Sequence, residues 1–533
     1  MDNTLKKAKK LLAPNIEKSN SRMANSRKNY VTGVIGQFIV LAMGFVCRTV
    51  FIKVLGKDYL GINGIFSNIV TLLSLSELGI GTAIIFNLYK PLADNDKDRI
   101  YVLMKFYKAA YNFIGIVIFV IGLILMPLLP YIIKDIPSFI NVYVIFGLYL
   151  LQSASSYFFF AYKSSIIRAD QQVYIINTID WWYTLSLNIA QILSLIIFKN
   201  FELYVGLYVV ATIIQNILEA SYADRLFPFI NDKRDDKLSW HEVKEILKDC
   251  YALSLWKINT VIVATTNNIF IMSIVGSVYV GYYSNYDLLR KNLNKFLNMF
   301  YTAITASVGN LNATDSRRNN EIYKISNFVT VILYSIACLG FYFVGNPFIK
   351  VWIGEEYLLS EFIVFLMAVD MYLMGINRFN STFRSALGLF NYMKYLPLIG
   401  SLINILISIW LTLSMGIAGV IIGTIACDFL VYFWFEPLIL YKHAFKEKAF
   451  GYYILNFTYA LVIIVMGLLI RFVCGYFNNN LLLILVGGSL SVILPLVFFP
   501  LIFIKSEEFN FIRKNILPKL GEILKRNKKT QEV

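Results

Sequence analysis

Gly56-Lys57-Asp58-Tyr59-Leu60-Gly61 and Gly276-Ser277-Val278-Tyr279-Val280-Gly281 share the spacing Gly-x-x-Tyr-x-Gly and stand 220 residues apart. A second pair recurs at offset 221: Tyr162-Lys163-Ser164 with Tyr174, and Phe383-Arg384-Ser385 with Tyr395. Each match alone is weak in a chain with 30 glycines and 35 tyrosines. Two anchors at nearly one offset point to an internal duplication. Each Gly-x-x-Tyr-x-Gly falls between two apolar runs, and such runs recur from Tyr30 to Ile504. A bilayer-spanning helix needs roughly 20 mostly apolar residues. That window finds fourteen candidates, beginning near Tyr30, Tyr59, Met104, Phe139, Gln172, Glu202, Cys250, Tyr279, Tyr323, Ser360, Tyr392, Met415, Tyr452 and Leu481.

An even number of helices per repeat gives both halves the same orientation, related by an axis along the membrane normal. The expected fold is an all-α integral membrane protein with 14 transmembrane helices. Two parallel six-helix repeats, an N-lobe and a C-lobe, are followed by two extra C-terminal helices. The boundaries read as a basic arm 1–29, helices 1–6 over 30–226, a loop 227–249, helices 7–12 over 250–445, helices 13–14 over 446–505 and a tail 506–533. The loop holds Trp240-His-Glu-Val-Lys-Glu-Ile-Leu-Lys-Asp249, a pattern suited to an interfacial helix.

Composition agrees with a membrane protein. Of 533 residues, 58% are hydrophobic and 15% charged, with mean hydropathy +0.62; soluble domains carry about 25% charged residues. That excludes a secreted disulfide scaffold, a disordered chain and nearly every soluble enzyme. The net charge of +16 would suggest nucleic acid in a soluble protein. Here the basic residues lie between and beyond the apolar segments, so they report topology and no nucleic-acid partner is expected. With the N-terminus inside, the outer connections hold only Lys53, Lys57, Lys134, Lys199, Lys350 and Arg471. Both termini are therefore expected in the cytoplasm. The polar arm Met1 to Asn29 has no apolar core directly after Met1 and reads as retained, not as a signal peptide.

The five cysteines form no CxxC pair, and both histidines, His241 and His443, fall in polar connections. No GxxxxGK[ST] loop, HExxH or Ser/His/Asp setting is present. An enzyme, a metal site and a bound cofactor are not expected.

An ionisable residue at membrane depth costs at least ~2.5–3.5 kcal/mol, so each needs a partner, a hydrated cavity or a task. In the eighth segment Asp287, Arg290, Lys291, Asn294, Lys295 and Asn298 share one helical face. The second segment carries the related stripe Asn63, Ser67, Thr71, Ser74 and Glu77, where offset 220 maps Ser67 onto Asp287 and Thr71 onto Lys291. Gln37 and Arg48 on the first segment map onto Lys257 and Asn268 on the seventh. Matching polar faces suggest a hydrated, net-positive cavity between the halves, since one acid cannot neutralise three cations. The alternative is structural pairing of Asp287 with Arg290 or Lys291, plus snorkelling. Snorkelling is the reading for Arg378 at the end of its helix. Glu77, Asp180, Asp370 and Asp428 are the acids within spans, with Asp370, Asn377 and Ser381 on one face. For these, H⁺ or Na⁺ coupling and pairing with a neighbouring base are both open. The Tyr157-Phe158-Phe159-Phe160 run reads as an interface belt.

Several local runs resemble a known family: Arg48-Thr-Val-Phe-Ile-Lys-Val-Leu-Gly56 leading into Tyr59-Leu-Gly61, Ser76-Glu-Leu-Gly-Ile-Gly81, Trp352-Ile-Gly-Glu-Glu-Tyr357, and Gly416-Ile-Ala-Gly419-Val-Ile-Ile-Gly423-Thr424. With the helix count and the cationic positions, the chain resembles the multidrug/oligosaccharidyl-lipid/polysaccharide exporter superfamily, and within it the bacterial polysaccharide flippases of O-antigen and capsule assembly. The resemblance implies a flippase of the bacterial cytoplasmic membrane that moves undecaprenyl-pyrophosphate-linked oligosaccharide, for capsule, exopolysaccharide or O-antigen, by alternating access. It implies that Arg290, Lys291 and Lys295, with Arg48 and Lys257, meet the anionic headgroup. Its implied partners are the lipid-linked oligosaccharide, membrane lipids, and polysaccharide polymerase and chain-length machinery. The first helix carries Arg48 and no carboxylate, which departs from drug-exporting relatives. The rivals are a peptidoglycan lipid-linked precursor flippase, a cation-coupled multidrug exporter and a membrane glycosyltransferase or polymerase.

Overall fold

The computed structural model describes residues 32–33, 36–74, 80–133, 141–232, 238–247, 261, 265–311, 316–387, 389, 391–393, 395–516 and 518. The described chain is helical, with no strand among the described residues. It divides into two compact units, Met1–Val278 and Tyr279–Val533.

The first unit contains α1 (Gly36–Leu55), α2 (Lys57–Leu73), α3 (Ile80–Asp94), α4 (Lys97–Leu125), α5 (Val142–Ser155), α6 (Val173–Phe198), α7 (Phe201–Leu226) and α8 (Thr265–Val275). The second contains nearly all of α9 (Ser277–Leu311), then α10 (Ser316–Trp352), α11 (Glu361–Ala386), α12 (Leu396–Met415), α13 (Ile417–Phe445), α14 (Phe450–Cys474) and α15 (Asn480–Ile502). The boundary after Val278 leaves the described part of the seventh apolar segment in the first unit.

Among the described residues, ten helices are long and apolar enough to cross a membrane. The chain is a multi-pass membrane protein. Four expected spans do not reach that measure. α2 and α5 are short, only residues 261 and 265–275 of the seventh expected span are described, and α9 is long enough but interrupted by its polar stripe.

The helices start and stop where the local chemistry requires. Asn141, Asn200 and Asn479 cap α5, α7 and α15 through their side-chain oxygens, and Ser360 caps α11. The duplicated motif glycines do equivalent work: Gly56 (φ 85°) separates α1 from α2, and Gly276 (φ 137°) separates α8 from α9. A side chain would be strained at either point. The run Gly416-x-x-Gly419-x-x-x-Gly423 closes a tight hairpin between α12 and α13. A Cβ on Gly419 would overlap the Leu411 backbone, and one on Gly423 would overlap the Ser408 hydroxyl. Close approach of two membrane helices takes residues this small.

Packing differs across the second unit. More than half of the most apolar stretch of α10, α11 and α13 is buried, against under a quarter for α14 and α15. The first three form the core of that unit, and α15 lies along α10. In the first unit the predicted interfacial helix exists at 240–247 and is docked. Ile246 is buried in a cluster with Leu88 of α3, Met104 and Tyr107 of α4, Ile176 of α6 and Ala223 of α7. Trp240, 77% exposed, points away from the unit. Ser239 and Glu242 cap this helix reciprocally: the Ser239 N–H and hydroxyl donate to Glu242 Oε2 (both 2.8 Å), and the Glu242 N–H donates to Ser239 Oγ (3.3 Å). Arg99 of α4 holds Glu242 Oε1 at 2.5 Å.

Candidate functional site

The polar stripe of α9 is held in place from both sides. Tyr286 donates to Asn346 of α10 (2.5 Å) and accepts from the Leu359 N–H (3.2 Å). Tyr334 of α10 donates to Asn294 (3.3 Å). Between these supports Asp287 is buried, and its two oxygens divide two cations. Oδ1 accepts from Arg290 Nε (3.1 Å) and Nη2 (2.9 Å), while Oδ2 meets Lys291 Nζ at 2.7 Å. The other arm of the Arg290 guanidinium, Nη1, donates to Asp370 Oδ2 on α11. Asp370 is 3% exposed, and its second oxygen, Oδ1, has no hydrogen-bond partner.

Two turns further along α11, Asn377 donates to the Asp428 backbone carbonyl (3.1 Å). Asp428 opens a π-helical turn, Asp428–Tyr432, within α13. Such turns re-aim side chains and recur at functional sites. Its carboxylate interacts electrostatically with Asp370 and Arg290. Sequence spacing placed Asp287 and Arg290 on one helix but did not show that α11 and α13 bring Asp370 and Asp428 to them. The expectation of three cations facing a single acid is therefore corrected: Arg290 is clamped by two carboxylates, with a third nearby. Lys291 keeps one acidic partner, yet its side chain is 61% exposed. Lys295, one turn on, is exposed and has no ion pair among the described residues.

The remaining candidates lie in the first unit. Arg48 is half-buried in α1, with Tyr204, Cys47 and Tyr149 as its electrostatic neighbours. Tyr149 in turn donates to Asn63 of α2. On α2 two stripe hydroxyls are satisfied locally: Thr71 donates to the Ser67 carbonyl (2.7 Å) and Ser74 to that of Thr71 (2.6 Å). Asp180 on α6 accepts from Gln215 of α7 (2.7 Å), whose same amide nitrogen also reaches Glu219 (3.1 Å). Glu77 and Lys257 lie outside the described residues. Arg378 is exposed.

Two ion pairs on buried bases were missed by sequence reasoning. Lys163, 4% exposed, meets Asp224 of α7 at 2.5 Å, and Arg384 of α11 meets Glu436 of α13 at 3.0 Å with both side chains buried. Lys163 and Arg384 are the basic members of the second repeat anchor, so a signal for the bases existed. The acids Asp224 and Glu436 do not share an offset, which hid them. Among the described residues no three His, Cys, Asp or Glu side chains are grouped to hold a metal ion.

No protein-family model matches this sequence, and no curated protein matches it. Solved structures do match. A lipid II flippase MurJ in an inward closed conformation superposes with TM-score 0.62 at 16% identity, over 89% of this chain and 98% of that one. An inward-facing multidrug resistance MATE family transporter of the MOP superfamily gives TM-score 0.59 at 12% identity, over 76% of this chain and 96% of that one. A point mutant of the Vibrio cholerae MATE transporter VcmN gives TM-score 0.58 at 14% identity, over 80% of this chain and 99% of that one. These structures are of transporters and a flippase, and at such identities the likeness is one of fold. The chain therefore has the helical membrane fold seen in MATE transporters and MurJ.

Proposed function

We propose that this protein is a flippase that moves undecaprenyl-pyrophosphate-linked oligosaccharide across the bacterial cytoplasmic membrane, built as 14 helices in two parallel six-helix repeats plus two, with both termini cytoplasmic. The observation that carries the reading is the α9 face. Lys291 and Lys295 are exposed beside an Arg290 held rigidly by Asp287 and Asp370, an arrangement fitted to a multiply charged phosphate headgroup. Arg48, with Tyr204, Cys47 and Tyr149 as neighbours, and Lys257 are the anion-binding candidates of the first unit. Exposed cations of this kind repel the cationic compounds a drug exporter carries.

Asp370 supplies a coupling route. Its unpartnered oxygen can take a proton or Na⁺, with Asp428 beside it, and loading it weakens its hold on Arg290. An anionic headgroup then competes for Arg290 in one state more than in the other, which is the differential binding transport requires. Asp180 and Glu77 are structural or coupling acids of the first unit in this scheme. The flipped product passes to polysaccharide polymerase and chain-length machinery.

The likeness to MurJ over 89% of this chain favours a second reading, a peptidoglycan lipid-linked precursor flippase. Deleting the gene and measuring lipid-linked glycans in each leaflet tests both. Prenyl-pyrophosphate oligosaccharide trapped on the cytoplasmic face of viable cells, and released by the intact gene, supports the first. Lethal accumulation of peptidoglycan precursor supports the second. Unchanged glycans with raised sensitivity to cationic dyes would mean a drug exporter.

A further inference from the structure

Away from the α9 cluster, the second unit carries a cleft of about 310 Å³ where α10 begins, α13 ends and α14 begins, bordered by Glu507 and Glu508 of a short helix beyond α15. Its buried wall is aromatic, formed by Tyr441 and Tyr452, each 4% exposed. Asn327 also lines it. That side chain is 1% exposed, and its carbonyl oxygen has no hydrogen-bond partner. A buried acceptor without a donor is rare in a folded protein and calls for a ligand or water to complete it. The cleft also holds both signs of charge, Glu447, Glu507 and Glu508 against Lys324 and Lys448.

Aromatic faces, carboxylates and a lone carbonyl acceptor select an ammonium that still carries N–H donors. Two lysines beside them suit a phosphate. The same helix ends display Phe450, Ile454, Leu501 and Ile504, all exposed. Apolar residues so placed are covered by a bilayer, which sets the cleft at headgroup depth. We propose that this cleft binds the headgroup of a phospholipid bearing a primary ammonium, with the ammonium toward Asn327 and Glu508 and the phosphate toward Lys324 and Lys448.

The test uses the full chain in detergent, measuring retained lipid by native mass spectrometry and melting temperature with dioleoyl phosphatidylethanolamine, phosphatidylcholine or phosphatidylglycerol. Phosphatidylethanolamine is expected to bind at least tenfold more tightly than the other two and to raise the melting temperature. Phosphatidylcholine has no N–H to offer, and phosphatidylglycerol has no cation. Glu508→Gln, on the cleft rim and away from the buried core, is expected to remove that preference without changing lipid-free melting. Asn327→Leu should do the same wherever it folds. Equal binding of the three lipids, a preference for phosphatidylglycerol, or an unchanged preference in Glu508→Gln overturns the proposal. Free ethanolamine binding as tightly as the lipid would overturn the lipid as its source.

Discussion

Arg290 illustrates how one side chain sets the logic of a site. Breaking a buried ion pair by removing one partner typically costs about 3–5 kcal/mol, because the other charge is left uncompensated. Replacing Arg290 by Gln exposes Asp287 and Asp370 to each other, so loss of thermal stability of that order is expected, together with loss of transport. In Arg290→Gln/Asp370→Asn stability is expected to recover in part, and a double-mutant cycle on melting in detergent measures the coupling. Lys295→Glu is the cleaner functional test, since Lys295 is exposed and has no ion pair among the described residues. Insertion and melting should stay unchanged while glycan export falls at least tenfold. Full export by Lys295→Glu would remove that lysine from the binding set.

At the scale of the element, the docked helix 240–247 gives a pH-dependent prediction. Glu242 is held at about 2, first by the Ser239 hydroxyl and N–H and then by Arg99. A carboxylate with a depressed value stabilises the docked state above its ordinary value near 4.5 and loses that contribution as pH falls toward 2. The protection factor of this helix in hydrogen exchange should therefore hold from pH 7 to about 5 and fall below it. In Glu242→Gln, protection should be lower at neutral pH and lose this dependence on acidification.

A second element-scale prediction concerns the chain break after α5, where Phe159 and Phe160 take positive φ at roughly 1–3 kcal/mol each. The Asn216 amide of α7 holds the break by donating to the carbonyls of Ser155 (2.7 Å) and Phe158 (3.3 Å). Asn216→Leu leaves both carbonyls short of a donor, and about 1–3 kcal/mol of stability should be lost in a detergent melt.

For the whole molecule, orientation is the testable property. Charge asymmetry predicts residues 1–29 and 506–533 inside, and on that expectation a cysteine introduced at Asn478 should react with an impermeant maleimide in intact cells and one at Asp232 should not. Cys47, Cys338 and Cys427 are buried and should contribute little background, while Cys474, half-buried and four residues from Asn478, is replaced by Ser in both variants. The reverse pattern would invert the topology and place the α9 cations on a different path from the one proposed.

Hydropathy and charge alone determined that this is a multi-pass helical membrane protein, because lipid forces every spanning backbone group into a helix and leaves basic residues on one side. The glycine spacings were visible as a repeat and a resemblance, and the structure supplies their reasons: Gly56 and Gly276 sit at positive φ, and Gly419 and Gly423 where two helices touch. The α9 stripe was visible as a 3.6-residue period. Its partners were not. Asp370 and Asp428 lie 80 or more residues from Arg290, and no periodicity couples α9 to α11 and α13. Only tertiary packing could reveal that the acids are shared and that Arg290 is clamped. The same holds for Asp224 beside Lys163 and Glu436 beside Arg384. A sequence shows which charges are buried in lipid, while the fold decides which of them neutralise one another.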